Sequence, residues 1–360
     1  MDNDYSKMST EELEKLLVEY EDIAGKSFNT QMALKLSICS VYGALGSKGF
    51  FVYNPELAKS VTGNGRFYIN LLSQRINEHL RNIDGKDHIV YNDTDSVYLT
   101  LKDVLKKKNL LASTKQETTD RIDKFVEDEI QPVINSASQE VGDIFNAYDS
   151  SVIQAKREVI SDRAVFLAKK RYFMNVIDNE GVRFYDPHVK TMGIELVRSS
   201  TPAFSKKYLK EAIDIILYKD EKELKEYLND VKSKYDKADL MDLGKTSSVS
   251  NLNYKIGDKG IPVNSRAAIA SNNYIYSKNL QNVHQPLVAG EKLKMLYLRT
   301  PNPLGQNIFA FNTEKFAQEF KDYIDYDTNW EKFFLEPLKI MTAPLRYNLK
   351  TEVQSILDEW

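Results

Sequence analysis

The sequence predicts an α+β chain, and three observations carry that prediction. A long capped amphipathic pattern fills residues 9–46. Runs of β-branched and aromatic residues surround an acidic turn at 87–101 and a basic knot at 151–192. From Ser205 onward the apolar spacing becomes mostly helical. Of the 360 residues, 42% are apolar and 28% charged, the balance of a soluble globular protein with room for two or more folded units. No run of about 18 apolar residues occurs, so no membrane span is expected. Met1 to Tyr5 are acidic and lack the apolar core of a secretion signal. Cys39 is the single cysteine, which rules out an internal disulfide and suits a reducing cytosol. The net charge of −3 carries no global nucleic-acid signature, so any such contact must come from local basic clusters.

Taken in order, Ser9 with Glu12 forms a capping box for the first helix. Leu13, Leu16, Leu17, Tyr20, Ile23, Phe28, Leu34, Ile38, Val41 and Leu45 then recur mostly at threes and fours, and Gly46 is placed to stop the run. A helix that long exceeds about 50 Å and must protrude or pack against a partner. Ser47 to Pro55 reads as an aromatic connector and 64–82 as an amphipathic helix. Then come Asp87-His88-Ile89-Val90-Tyr91 and Val97-Tyr98-Leu99-Thr100-Leu101, two strands around an acidic tip. Asn92 and Asp93 tolerate a tight turn, which leaves Asp93 and Asp95 two positions apart at the exposed end of a hairpin. Two carboxylates on one rigid tip repel each other unless a cation sits there, and Mg²⁺ prefers such oxygen ligands. Many Asp-x-Asp turns are nonetheless simply solvated.

Lys102 to Thr118 reads as polar and mobile, with Lys106-Lys107-Lys108 as a solvated run. A helix is expected from about 119 to 148, kinked at Pro132. The stretch 151–192 reads as strands, with Asp178-Asn179-Glu180-Gly181 closing a hairpin. Helices are expected from Ser205, at Ala267 to Lys278, and around Trp330 to Ile340, where Pro337 bends or breaks the last one. Residues 238–265 read as loop, and Met295 to Leu298 as strand.

Several of these stretches carry a resemblance. Tyr91-Asn92-Asp93-Thr94-Asp95-Ser96-Val97-Tyr98 resembles the third polymerase motif of family B DNA polymerases, with Asn92 where Gly is usual. Lys35-Leu36-Ser37-Ile38-Cys39-Ser40-Val41-Tyr42-Gly43 resembles the family's Lys-x-x-x-Asn-Ser-x-Tyr-Gly, with Cys39 in place of Asn. A thiol is a poor substitute for an amide's hydrogen bonds. Lys35, Cys39 and Tyr42 would share one helical face. Lys169-Lys170-Arg171-Tyr172 resembles the Lys-Lys-x-Tyr motif that holds the primer strand. Ser199-Ser200-Thr201-Pro202 and Gly290-Glu291-Lys292 fit as well.

The order of motifs resembles the C-terminal part of T-even-type phage polymerases. The resemblance implies a partial right hand: fingers at 1–46, palm at 47–193, a mostly helical thumb at 194–353, and a clamp-binding tail at 354–360. It implies template-directed nucleotidyl transfer from dNTP to a primer 3′-hydroxyl, with two Mg²⁺ ions. Asp95 and Asp93 would be the catalytic and metal-binding carboxylates, with Glu158 a weaker metal candidate. Lys35, Cys39 and Tyr42 would line the nucleotide, and Tyr42, Gly43 and Lys169 to Tyr172 would touch DNA. In the tail, Gln354, Leu357 and Trp360 resemble a sliding-clamp peptide, the alternative being that its apolar residues cap the last thumb helix. The family's second metal Asp, in a motif reading roughly Asp-x-x-Ser-Leu-Tyr-Pro, does not occur in the sequence. The chain is therefore expected to be the C-terminal subunit of a split polymerase in host cytoplasm, needing an N-terminal polypeptide. The alternatives are a non-catalytic DNA-binding remnant and a C-terminal piece of a one-chain polymerase.

Overall fold

The computed structural model describes residues 5–349. It divides into two compact units. One runs to Ser113 and adds Arg121–Lys156. The other is Thr114–Asp120 with everything from Arg157. The division at 156/157 falls inside the stretch read as palm. No described helix is long and apolar enough to cross a membrane.

The first unit opens with α1 (Thr10–Gly46), capped by the expected box: Ser9 accepts from the Glu12 amide and Glu12 reaches back to the Ser9 amide. None of its 37 residues is buried. α2 (Pro55–Asp84) starts nine residues before the expected helix. Asn54 accepts from the Leu57 amide at 3.0 Å and Pro55 holds the first turn, so the aromatic connector lies where expected and the helix follows it at once. Its C-terminal half carries the core of the unit: Ile69, Leu72, Ile76 and Leu80 pack with Val104, Phe125, Ile130, Ile134 and Ala137. Two strands follow, β1 (Ile89–Asp93) and β2 (Ser96–Leu99). The stretch expected to be mobile instead begins with a short helix, α3 (Lys102–Lys107), in which Val104 and Leu105 are buried, Val104 against that core. Lys108, from the lysine run, pairs with Glu129 at 2.7 Å. The expected kink at Pro132 is a π-helical turn at Val126–Ile130 between α4 (Lys115–Phe125) and α5 (Gln131–Ile144), with Pro132 in the first turn of α5, where its missing amide costs nothing. Arg75 grips the Glu140 carboxylate with two nitrogens, tying α2 to α5.

The second unit has two antiparallel sheets. β3 (Val159–Ala168), β4 (Arg171–Asn179) and β5 (Val182–Met192) form the first, with β4 central and buried at seven consecutive residues. A central strand covered on both faces reads as a near-continuous apolar run, as Tyr172 to Ile177 does. The β4–β5 turn is Glu180-Gly181, both at positive φ, the geometry that a two-residue hairpin loop favours. Then come α6 (Ala203–Tyr218), α7 (Glu221–Tyr235) and α8 (Leu240–Leu243). The second sheet is β6 (Lys245–Ser248), β7 (Lys292–Tyr297) and β8 (Ile308–Phe311), with α9 (Val263–Ser277) between β6 and β7 in sequence. Here α8 and β6 replace part of the expected loop, and β8 was not anticipated. The chain ends in α10 (Glu314–Gln318), α11 (Tyr326–Trp330) and α12 (Glu336–Thr342), where a π-helical turn precedes Pro337. The large core joins Phe173 and Ile194 to Leu209, Ile213, Tyr235, Phe309, Phe320, Trp330 and Phe334.

Charged groups inside this unit are answered by partners. Asp178 is fully buried and is gripped by Arg157 and Arg183, with the Gly181 amide donating at 3.1 Å. Asp162 on β3 accepts from Asn175 at 2.9 Å, from the Tyr218 hydroxyl at 2.8 Å and from Lys115 at 2.7 Å. Burial alone raises the Asp162 carboxyl, but the bonds from Lys115, Asn175 and Tyr218 outweigh it and hold the group below its ordinary value. A depressed carboxyl adds stability above its unfolded pKa, and that share is lost as pH falls through the folded value. Replacing Asp162 by Asn should therefore lower the urea midpoint of this unit most near neutral pH. The gap to wild type should begin to shrink below about pH 4, the ordinary carboxylate range, and close at lower pH still, as the folded group protonates. A gap of constant size from pH 7 to 3.5 would count against the ionised role of Asp162.

Candidate active site

The acidic hairpin is built for a tight tip. Asp93 pairs with Ser96 across the strands, so the turn residues are Thr94 and Asp95, one step beyond the Asn92–Asp93 turn expected from sequence. Thr94 has φ 55°, unusual for a β-branched residue. The Asp95 amide donates to the Asp93 carbonyl at 2.6 Å, closing a three-residue turn. Asp95 is exposed and Asp93 half-buried. The Thr94 hydroxyl donates to Asp93 at 3.0 Å, and the Ser96 hydroxyl to Asp95 at 3.3 Å. Asp95 pairs with no cationic side chain among the described residues.

Strand alternation sorts the hairpin's faces. Val97 and Leu99 pack on the α2 core. Asn92, opposite Val97, turns the same way and donates to Ser73 of α2 at 2.8 Å. Tyr91 and Tyr98 meet across the strands on the other face, their rings tilted and 5.4 Å apart, and Asp93 shares their side. The hairpin base is held by His88, which is 2% exposed. Its Nδ1 lies 2.8 Å from the Thr100 carbonyl and its Nε2 2.9 Å from Asp84, at the end of α2. Its amide donates to Asn77, and Asn77 and Arg81 both donate to Asp87. Burial pushes the Asp84 carboxyl up, yet hydrogen bonds from His88 and the Lys86 amide leave it below its usual value. Sequence reading took His88 for a strand residue. Its signal was its place four residues after Asp84.

The other candidate residues lie as follows. Lys35, Cys39, Tyr42 and Gly43 are exposed on the last third of α1. In the second unit, Lys169 and Lys170 are the two turn residues between β3 and β4, and Lys170 has φ 61°. The Arg171 guanidinium is tied to Glu195 at 2.8 Å, and Tyr172 is 3% exposed beside Phe166. Glu158 meets Lys190 at 3.1 Å, one residue after the Arg157 that Asp178 holds. Sequence reading missed Gly193, which supports the basic turn: a Cβ there would overlap the Lys170 carbonyl oxygen and crowd Arg171. Gln354, Leu357 and Trp360 lie outside the described residues.

Among the described residues, no group of three or more His, Cys, Asp or Glu side chains converges as a metal-ligand set. Asp93 and Asp95 supply hard oxygen donors of the kind Mg²⁺ takes, enough for part of a site.

The family model for DNA polymerase family B matches residues 26–131, which span the second half of α1, α2 and the acidic hairpin. Over that stretch the chain is similar to the family B DNA polymerases. Its similarity is to the T-even phage type: it is 29% identical to the DNA-directed DNA polymerase of Enterobacteria phage T4 and 28% identical to that of Escherichia phage RB69, over 98% of its length in each case. It is also 26% identical to DNA polymerase 1 of Pyrococcus abyssi over 59% of the chain. The chain spans 41% of the length of the two phage relatives.

The Gly193 contact can be tested directly. Gly193 and Gly181 both have positive φ, but a Cβ at Gly181 meets open space. Gly193→Ala should therefore destabilise the second unit by more than the roughly 1 kcal/mol expected of backbone strain, and by more than Gly181→Ala. It should also speed tryptic cleavage after Lys169 and Lys170. Equal urea midpoints for the two variants would remove the proposed support for the basic turn.

Proposed function

We propose that the chain is the C-terminal palm-and-thumb part of a DNA-directed DNA polymerase and works with an N-terminal polypeptide. The observation that carries this is the acidic tip, two carboxylates on either side of a strained Thr94 and anchored through α2. Two further features support it. Among the described residues the β1–β2 sheet has two strands, and such a pair is marginal alone. An edge strand of the N-terminal polypeptide can pair with it and bring the second metal carboxylate. In addition, α1 keeps Leu17, Phe28, Leu34, Ile38 and Val41 exposed, an apolar face suited to cover by the same polypeptide.

In this reading Asp95 and Asp93, with the partner's carboxylate, would hold two Mg²⁺ ions, which would supply positive charge for attack of the primer 3′-hydroxyl on the dNTP α-phosphate. Lys35 neutralises the triphosphate, and Tyr42 packs at the nascent base pair. Lys169 and Lys170 neutralise primer phosphates from the β3–β4 turn. Arg171 acts by holding that turn through Glu195. Glu158 is a subsidiary carboxylate whose Lys190 partner must share it with any cation. The tail from Gln354 to Trp360 binds a sliding clamp.

Primer extension tests the reading. The chain alone should not extend a primer in Mg²⁺, whereas the chain with its N-terminal polypeptide should. Asp95→Asn should cut the rate of the assembled enzyme by well over tenfold, more than about 1.4 kcal/mol of barrier, with primer–template affinity kept. Robust synthesis by the single chain would refute the split arrangement, and a smaller loss would remove Asp95 from the metal site. The two lysines should separate in binding assays. Lys170→Ala should weaken primer–template binding and reduce its salt slope by about one. Lys35→Ala should raise the dNTP KM and leave that slope alone. Exchanged phenotypes would overturn both roles.

A further inference from the structure

We infer that Asn92 and Ser73 form a positioning pair that sets the acidic tip against α2, and so tune its hold on divalent cations. This rests on the polymerase reading of the same hairpin. Asn92 stands directly before Asp93. A side chain at that position must go somewhere, and alternation sends it toward α2, away from Asp93. There its Nδ2 donates to Ser73 Oγ at 2.8 Å, and Ser73 Oγ in turn donates to the Ile69 carbonyl at 2.7 Å. The direction of both bonds is fixed. The Ile69 carbonyl can only accept, so the serine hydroxyl spends its hydrogen there and turns a lone pair to the amide.

The pair sits where the hairpin needs it. His88, Asn77 and Arg81 fix the base of β1 to the last turns of α2. Asn92–Ser73 fixes the far end of the same strand to a turn of α2 nearer its middle. A short two-stranded ribbon pinned only at its base can rock, and its tip moves most. Two pins on one rigid helix define its direction. Ser73 is 8% exposed, so the contact is sheltered from competing solvent. The Oδ1 of Asn92 is also buried and has no protein partner among the described residues. A half-paired buried amide is a poor choice for stability alone, which favours a positional role. Asn92 and Ser73 do not touch the cation in this account; they act through Asp93 and the Thr94 turn.

The variants are Asn92→Gly, Ser73→Ala and the double change, each in the full chain with its N-terminal polypeptide. Single-turnover incorporation is followed against Mg²⁺ concentration, and binding of Mn²⁺ alone is followed by electron paramagnetic resonance. Each single change should raise the half-saturating Mg²⁺ and the Mn²⁺ dissociation constant by about threefold to tenfold, and the double change no further, because contacting residues are not additive. Primer–template affinity should stay the same. Amide hydrogen exchange on the chain alone should quicken at Asp93 to Ser96 and stay unchanged at His88. If the variants only shift the unfolding midpoint, with metal dependence and tip exchange as in wild type, the pair is mere packing and the inference fails. If the two single effects add, the residues do not act together and it fails again. If wild type with its polypeptide neither extends primers nor binds Mn²⁺, the polymerase reading fails instead, while hydrogen exchange still reports on the pin.

Discussion

The acidic tip depends on one buried contact, that of His88 with the end of α2. Two neighbouring carboxylates repel, and a two-stranded ribbon has little stiffness of its own to hold them in place. His88 answers this by spanning two elements: one ring nitrogen meets the Thr100 carbonyl just after β2 and the other meets Asp84. The ring is buried, so both contacts are made in a medium where hydrogen bonds are strong and expensive to leave unmade. α2 in turn is fixed by its apolar stripe and by the bidentate Arg75–Glu140 pair. Rigidity therefore passes from core to helix, from helix to hairpin base, and from there to the carboxylates.

How much of this was legible in the sequence follows from the range of the interactions. The α1 cap was legible because Ser9 and Glu12 are three residues apart and need nothing else. The start of α2 was equally local, since Asn54-Pro55 is a cap followed by a first-turn proline, although the expected helix began only at residue 64. The α+β class and the acidic and basic turns were legible because strand and turn residues alternate there in short range. By contrast, α3 looked like a polar loop because only Val104 and Leu105 mark its buried side, and what receives Val104 is the core on α2 and α5. Strand β8 was hidden for a similar reason, since four residues gain strand character only beside β7.

The same distinction runs through the candidate site. The carboxylates, the lysines of the basic turn and the α1 residues announce themselves by spacing. Their supports do not: Ser73 lies nineteen positions before Asn92, Glu195 twenty-four after Arg171, and Gly193 matters only through the Lys170 carbonyl. The supporting residues are also chemically ordinary, a serine, a glutamate and a glycine, so their type gives no warning. Chemistry at the tip needs particular functional groups, whereas holding the tip needs only a partner of the right size in the right place.

The two units handle charge differently, and this bears on what each can do alone. In the second unit the buried carboxylate of Asp178 has two guanidinium partners, and Asp162 has three donors. Each carboxylate spends its lone pairs on several fixed donors, so these groups are committed to the fold. At the acidic tip, Asp95 points to solvent with only a serine hydroxyl beside it. Its charge is left uncommitted, which stability alone does not require but a cation does. α1 repeats the pattern with apolar surface. A helix of 37 residues draws most of its stability from packing, yet no residue of α1 is buried. The exposed apolar face of α1 and the exposed Asp95 lie in the same unit, so the surface that the fold leaves open is concentrated there.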